Sequence, residues 1–338
     1  MTDLNTKLEI FDAIAARRNE RRGFLRFAGG SALAIGGASL LAACGNDDED
    51  LAPAPTPTPS PTPAATINDA DILNYALNLE YLEAQFYAFA AFGVGLNASL
   101  LTGTGTQGGV TGGAQVPFQD AVVREYAREI AIDEVAHVAF LRTALGTAAV
   151  AQPAIDISAG TVAAPGAFTA AARAAGVVSA SQVFNPYADD NSFLLGAYIF
   201  EDVGVSAYKG AAALIANKTY LEAAAGILAA EAYHAGLIRT ILYRKGLQAP
   251  SLRTIAGQIS DARDSLDGSS DIDQGITGTD ATISNIVPTD ANGLAYSRSI
   301  AQVHNIAYLT NTARIGGGFF PNGTNNRTDA LRSSGANA

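Results

Sequence analysis

One pattern occurs twice in this chain, and it limits the possible folds more than any other feature. Glu80 is followed seven residues later by Tyr87, and further on Glu134 stands three residues ahead of His137, with Arg142 five residues beyond. The same order returns as Glu201, Tyr208, Glu231, His234 and Arg239. Residues i and i+3 of an α-helix share a face, so each Glu-x-x-His unit aims one carboxylate and one imidazole in the same direction. Two such helices, each paired with a helix that carries one more glutamate, bring Glu80, Glu134, His137, Glu201, Glu231 and His234 to a common axis. Four carboxylates gathered in an interior repel one another, and unpaired buried charge is costly, so the pattern calls for two divalent cations. With 338 residues, 48% of them hydrophobic, the chain can bury a core large enough to hold such a site.

The residues around the pattern have their own expected roles. Tyr87 and Tyr208 are the candidate catalytic pair, either hydrogen-bonding to a carboxylate or a bound oxygen species, or serving as plain core aromatics. Glu83, one turn from Glu80, is an alternative or additional ligand. Asp133 and Asp202 fall off the ligand faces and are expected in solvent, and Arg142 and Arg239 are expected to cap or brace their helices. His304 has Ala301 where a partner glutamate would stand and reads as structural or surface-exposed.

Apolar periodicity places these residues on four long helices. Ile72, Leu73, Ala76, Leu79, Leu82, Phe86 and Phe89 recur at helical spacing and predict a first helix from Asn68 to about Phe92. Gly93 to Gly113 is rich in Gly and Thr and reads as a loop. A second helix is expected from near Pro117 to about Ala149, a third over Asn191 to Asn217 and a fourth over Thr219 to Lys245. Two helical pairs separated by one long crossover make an all-α four-helix bundle over 67–246. Residues 247–325 are expected to form a C-terminal extension packed on the bundle, with helices over Ser251 to Leu266 and Ala295 to Tyr308. A disordered tail is expected over 326–338.

The N-terminal region reads as an address. Arg21-Arg22 precede an uncharged Ala, Gly and Leu stretch from Phe27 to Ala43, too short and too rich in glycine for a permanent membrane span. The arrangement resembles a twin-arginine export signal, with Glu20 where Ser or Thr is more usual. Leu41-Ala42-Ala43-Cys44 resembles a bacterial lipobox, which implies acylation of Cys44, the single cysteine. Residues 1–44 are thus expected as the signal, and 45–66, where proline alternates from Pro53 to Pro63, as an extended spacer. The expected location is the periplasm or cell surface, with membrane contact through the lipid anchor only. A net charge of -11 repels phosphate backbones and argues against a nucleic-acid partner. One cysteine excludes an intrachain disulfide framework and a Cys-rich metal site.

The ligand set resembles that of the ferritin-like superfamily, which includes bacterioferritins and rubrerythrins. More narrowly, Ala207-Tyr208-Lys209-Gly210-Ala211-Ala212, Ile286-Val287-Pro288-Thr289-Asp290, Gln302 to Tyr308 and Gly316 to Gly323 resemble the exported bacterial proteins related to plant desiccation-related protein. The resemblance covers roughly 67–325 and implies a ferritin-like fold. The expected centre holds two ions of iron or manganese, with Glu134 and Glu231 bridging, Glu80 and Glu201 as terminal ligands and His137 and His234 as imidazole ligands. Oxygen or peroxide is the expected small-molecule substrate, in oxidase, ferroxidase or peroxide-consuming chemistry under stress. The alternative is a non-catalytic desiccation or envelope-associated scaffold whose metal site is structural or vestigial.

Overall fold

The computed structural model describes residues 67–337. The signal, the lipobox cysteine Cys44 and the proline-rich spacer lie outside the described residues. The fold is an all-α ferritin-like bundle. Its four long helices are α1 (Asp69–Phe92), α2 (Ala121–Leu145), α4 (Asp190–Ala212) and α5 (Lys218–Gly246), with a short α3 (Ala167–Ala174) in the crossover. The C-terminal part adds α6 (Ser251–Asp267) and α7 (Ile300–Ala307). No helix among the described residues is long and apolar enough to cross a membrane.

Local chemistry sets the helix ends. Asn68 and Asp71 form a reciprocal capping box that opens α1, and Gly93, in the left-handed region at φ 71°, ends it. The start expected near Pro117 falls instead after Asp120, whose side chain accepts from the backbone N–H groups of Val122 and Val123. Asn217 caps α5 in the same way, and this leaves only a short link from α4.

α1 packs mainly on α2, and α4 on α5, so each chain-adjacent pair forms one half of the bundle. α2 and α5 bury one stripe each, which runs through Val123, Ala127, Ile130, Glu134 and Val138 in α2 and through Ile227, Glu231, His234 and Ile238 in α5. α1 and α4 differ: every residue from Asp71 to Ala88 and from Phe193 to Gly204 is buried. A helix buried all round needs cover on its outer side, and here the crossover and the C-terminal part supply it. The polar residues of α1 make the attachment. Asn74 accepts from Val150 N–H and donates to Ala148 O, Asn78 exchanges two hydrogen bonds with the backbone of Asn325, and Gln85 donates to Gln152.

Two expectations about irregular segments need correcting. The glycine-rich stretch after α1 contains β1 (Val110–Gly112), which pairs in parallel with β2 (Ile155–Ile157) in the crossover, Val110 opposite Ile155. A three-residue strand whose partner lies far along the chain leaves no local periodicity to read. Residues 326–337, expected as a disordered tail, dock on the body. Arg327 pairs with Asp71, Asn326 donates to Asp71 O, and Asn337 donates to Leu266 O. Their polar composition hid this docking, because the binding is through hydrogen bonds and not through an apolar stripe.

Candidate metal centre

The six predicted ligands converge in the middle of the bundle. Glu80, Glu134 and Glu231 are fully buried, Glu201 is 1% exposed and His234 3%, with His137 reaching the same interior from α2. Atoms of Glu80, Glu134, His137 and Glu231 lie within 4.8 Å of one another, as a metal ion would require. His137 Nδ1 is 3.2 Å from Glu80 Oε2 and 3.7 Å from both Glu134 Oε2 and Glu231 Oε1. In the other half, His234 Nδ1 is 3.1 Å from Glu134 Oε1 and 3.8 Å from Glu201 Oε2. Glu134 therefore turns one oxygen to each imidazole, the placement needed of a carboxylate that serves two ions.

Eight buried atoms in this cluster have no hydrogen-bond partner. They are Glu80 Oε2, Glu201 Oε2, both oxygens of Glu134 and of Glu231, and Nδ1 of His137 and His234. Buried polar atoms nearly always form hydrogen bonds, so a convergent set of oxygen and imidazole donors held together only by charge contacts fits divalent cations.

The two tyrosines complete the geometry by crossing between halves. Tyr87 of α1 donates its hydroxyl to Glu201 Oε1 of α4, and Tyr208 of α4 donates to Glu80 Oε1 of α1. Each phenol ties the outer oxygen of a glutamate and leaves the inner one facing the centre. Burial and the neighbouring carboxylates raise both phenols well above their usual range, so they stay protonated donors. Expected as the catalytic pair, they are placed by the structure against the terminal carboxylates as positioning groups.

Glu83 is also buried in this cluster. Its counterpart in the second half is Gly204, where a side chain would overlap the Glu231 carboxylate and approach Glu83 Oε1. Beyond Glu83 lies an apolar cavity of about 30 Å³, lined among others by Leu79, Leu82, Phe200, Val203 and Phe319.

The arginines brace the residue next to each terminal glutamate: Arg142 donates to Tyr81 Oη and Arg239 to Asp202 Oδ2. Asp202, expected in solvent, is 9% exposed and is shared by Arg239 and Arg263, which also pairs with Asp273. Asp133, also expected in solvent, is half-exposed but places Oδ2 3.4 Å from His234 Nε2. No spacing rule links either aspartate to its partner, because each contact runs between helices. His304 is remote and structural. It stacks on Tyr308 at 4.8 Å and meets Tyr75 edge-on, and burial lowers it to about 3, so it is neutral.

The protonation of the cluster gives a testable pH dependence. Burial, with repulsion from Glu134, raises Glu80 to about 7 and Glu201 to about 8 against the pull of the histidines. Burial and the other carboxylates raise Glu231 and Glu83 further. Burial alone would lower the imidazoles, yet the surrounding carboxylates, Asp133 among them, raise His234 to about 10. Burial would likewise raise Glu134, but the two imidazoles hold it below the carboxylate range.

Each raised glutamate stabilises the ion-free fold fully below its ordinary value of 4.5, and the effect is lost as pH climbs through 7 to 8. His234 behaves alike, fully stabilising below 6.5 and losing the effect toward 10. Glu134 works in the opposite direction, losing its contribution only as pH falls below 4.5. Between these limits ion-free protein is expected to melt at lower temperature as pH rises. Divalent ions displace the same protons, so they bind more tightly at higher pH. Melting curves at about pH 6 and about pH 8, with chelator or Mn(II), check this: the gap between loaded and ion-free protein must widen with pH.

Comparison with known proteins agrees with the fold. A family model described as "Ferritin-like domain" matches residues 68–244. The "Ferritin-like catalase Nec2" of Nesocodon mauritianus is 28% identical over 270 residues, covering 77% of this chain and 84% of that protein. The "Desiccation-related protein PCC13-62" of Craterostigma plantagineum is 30% identical over 246 residues, covering 69% and 75%. No solved structure gives a significant match.

Proposed function

Given that the chain belongs to the ferritin-like domain family, we propose that it is a di-metal carboxylate protein that consumes peroxide, exported and held at the membrane by a lipid on Cys44. The observation that carries the chemistry is the cluster of eight buried oxygen and imidazole donor atoms that make no hydrogen bond and face one another across the bundle interior. Glu80 and His137 would hold one ion and Glu201 and His234 the other, with Glu134 and Glu231 shared. A bound pair of iron or manganese ions would supply storage for the two electrons that one peroxide gives up and the next takes. In that exchange one peroxide is oxidised to oxygen and a second is reduced to water.

The protein's own residues prepare and protect the site. Tyr87 and Tyr208 keep the terminal carboxylates aimed inward, and Gly204 leaves room for the carboxylates of Glu231 and Glu83. The apolar cavity beside Glu83 leaves room for a small uncharged molecule next to the cluster. The name of the Nesocodon relative favours peroxide over the other oxidants that the ligand set would serve. Export is supported by Arg21-Arg22 and the Leu41 to Cys44 motif, which match a route for folded proteins followed by acylation.

The second reading, favoured by the desiccation-related relative, is a scaffold with a structural metal clip. Oxygen evolution from peroxide, measured on protein loaded with Mn(II) or Fe(II), separates the two. Turnover well above that of free metal at equal concentration is expected. Metal retained through gel filtration with no oxygen released would leave the scaffold reading.

A further inference from the structure

The centre is symmetric in its ligands and asymmetric behind them. Aligning Glu134 with Glu231 sets Asp133 opposite Ala230, just as Glu83 stands opposite Gly204 and Tyr81 opposite Asp202. Of these breaks, only the first touches an imidazole. We propose that Asp133 is a positioning residue for His234 and makes the two metal positions unequal, so that the His234 and Glu201 position binds a divalent ion more tightly and fills first. The inference rests on the reading of the cluster as a two-ion site.

Asp133 projects from α2, whereas His234 belongs to α5, so the contact joins the two halves of the bundle. Asp133 Oδ2 lies 3.4 Å from His234 Nε2, on the side of the ring away from the ligand cluster, while Nδ1 faces Glu134 and Glu201. A neutral imidazole carries one N–H. A carboxylate that accepts from Nε2 keeps that proton in place when a cation displaces the one on Nδ1, so the lone pair left to ligate points inward. The same contact fixes the ring plane and makes the inner nitrogen more basic.

His137 lacks this support: its three carboxylate contacts all run through Nδ1. Its side chain is 13% exposed, against 4% for that of His234. At the place corresponding to Asp133, Ala230 has no acceptor to offer. The Glu201 and His234 half therefore combines a fixed ring orientation with stronger exclusion of water.

Titration of the chelator-stripped full chain with Mn(II), following free Mn(II) by electron paramagnetic resonance, tests the assignment. Wild type is expected to show two classes of site. Asp133→Ala should weaken the tighter class by about 10- to 100-fold, the usual cost of losing a carboxylate behind a ligating histidine, and merge it with the weaker class. Asp133→Glu should restore part of the separation, which a merely structural role would not predict. Asp133 is half-exposed, so Asp133→Ala should still fold when ion-free, checked by circular dichroism, with a lower melting temperature because His234 loses a carboxylate that favours its charged form. Two unchanged classes in Asp133→Ala, or a single class in wild type, would overturn the positioning role and leave the metal centre standing. A wild-type chain that takes up no Mn(II) would remove the two-ion reading and this inference with it.

Discussion

Glu134→Ala is expected to lose both metal ions at once. Glu134 is the carboxylate whose two oxygens face different imidazoles, Oε2 toward His137 at 3.7 Å and Oε1 toward His234 at 3.1 Å. It is also held ionised in spite of complete burial. Removing it strips one ligand from each position and the shared anion from between two cations. Outer groups behind metal ligands already cost about 10- to 100-fold in affinity, so loss of a ligand common to both ions should exceed about 100-fold. Elemental analysis of protein passed through a desalting column reads the result directly. Two ions per wild-type chain and close to none in the variant are expected; a variant that keeps two ions would show that Glu134 bridges nothing. Glu231→Ala is the informative companion, because Glu231 Oε1 faces His137 at 3.7 Å and is the other carboxylate proposed to be shared.

The second large effect lies beside the centre. Asp202→Ala is expected to destabilise the fold by about 3 kcal/mol, at the lower end of the range for breaking a buried ion pair. Asp202 Oδ2 accepts from Arg239 at 2.7 Å and from Arg263 at 2.9 Å, and these side chains are 7%, 1% and 3% exposed. Without the carboxylate two guanidinium groups remain in an interior. The loss is moderated because Arg263 keeps Asp273 and the carbonyl of Tyr198, while Arg239 keeps the carbonyls of Gln274, Gly275 and Asn285. Urea unfolding of the ion-free protein measures the change. A loss below about 1 kcal/mol would mean that water reaches both arginines, contrary to their burial. Asp202 follows Glu201 in α4, and Asp273 also pairs with Arg298, which in turn pairs with Asp267 of α6. The network ties the C-terminal part to the helix that carries a terminal ligand.

Both predictions depend on residues of different legibility. Glu134 could be found because its histidine sits three residues away on the same helix, and because the unit recurs at Glu231. Asp202 could not be found: lying off the ligand face of its helix and with no local partner, it looked like a charge turned to solvent. Its partners Arg239 and Arg263 lie in α5 and α6, brought near only by packing. Tyr87 and Tyr208 fall between these cases. Their spacing from Glu80 and Glu201 marked them as a pair, but the crossing, each phenol serving the glutamate of the other half, belongs to the assembled bundle. Asp133 keeps much of its expected exposure, but its contact with His234 was hidden for the same reason, since that partner is on the opposing pair.

The amino-acid order alone determined the four long helices, the all-α class and the six side chains of the candidate centre, because these follow from relations within a single turn: apolar stripes, capping residues and the three-residue step from glutamate to histidine. Tertiary structure decided which oxygen faces which nitrogen, that two aspartates expected in water support the centre, and that the final residues dock against Asp71. Those outcomes depend on contacts between segments far apart in the chain, whose energies arise only once water has been excluded between them.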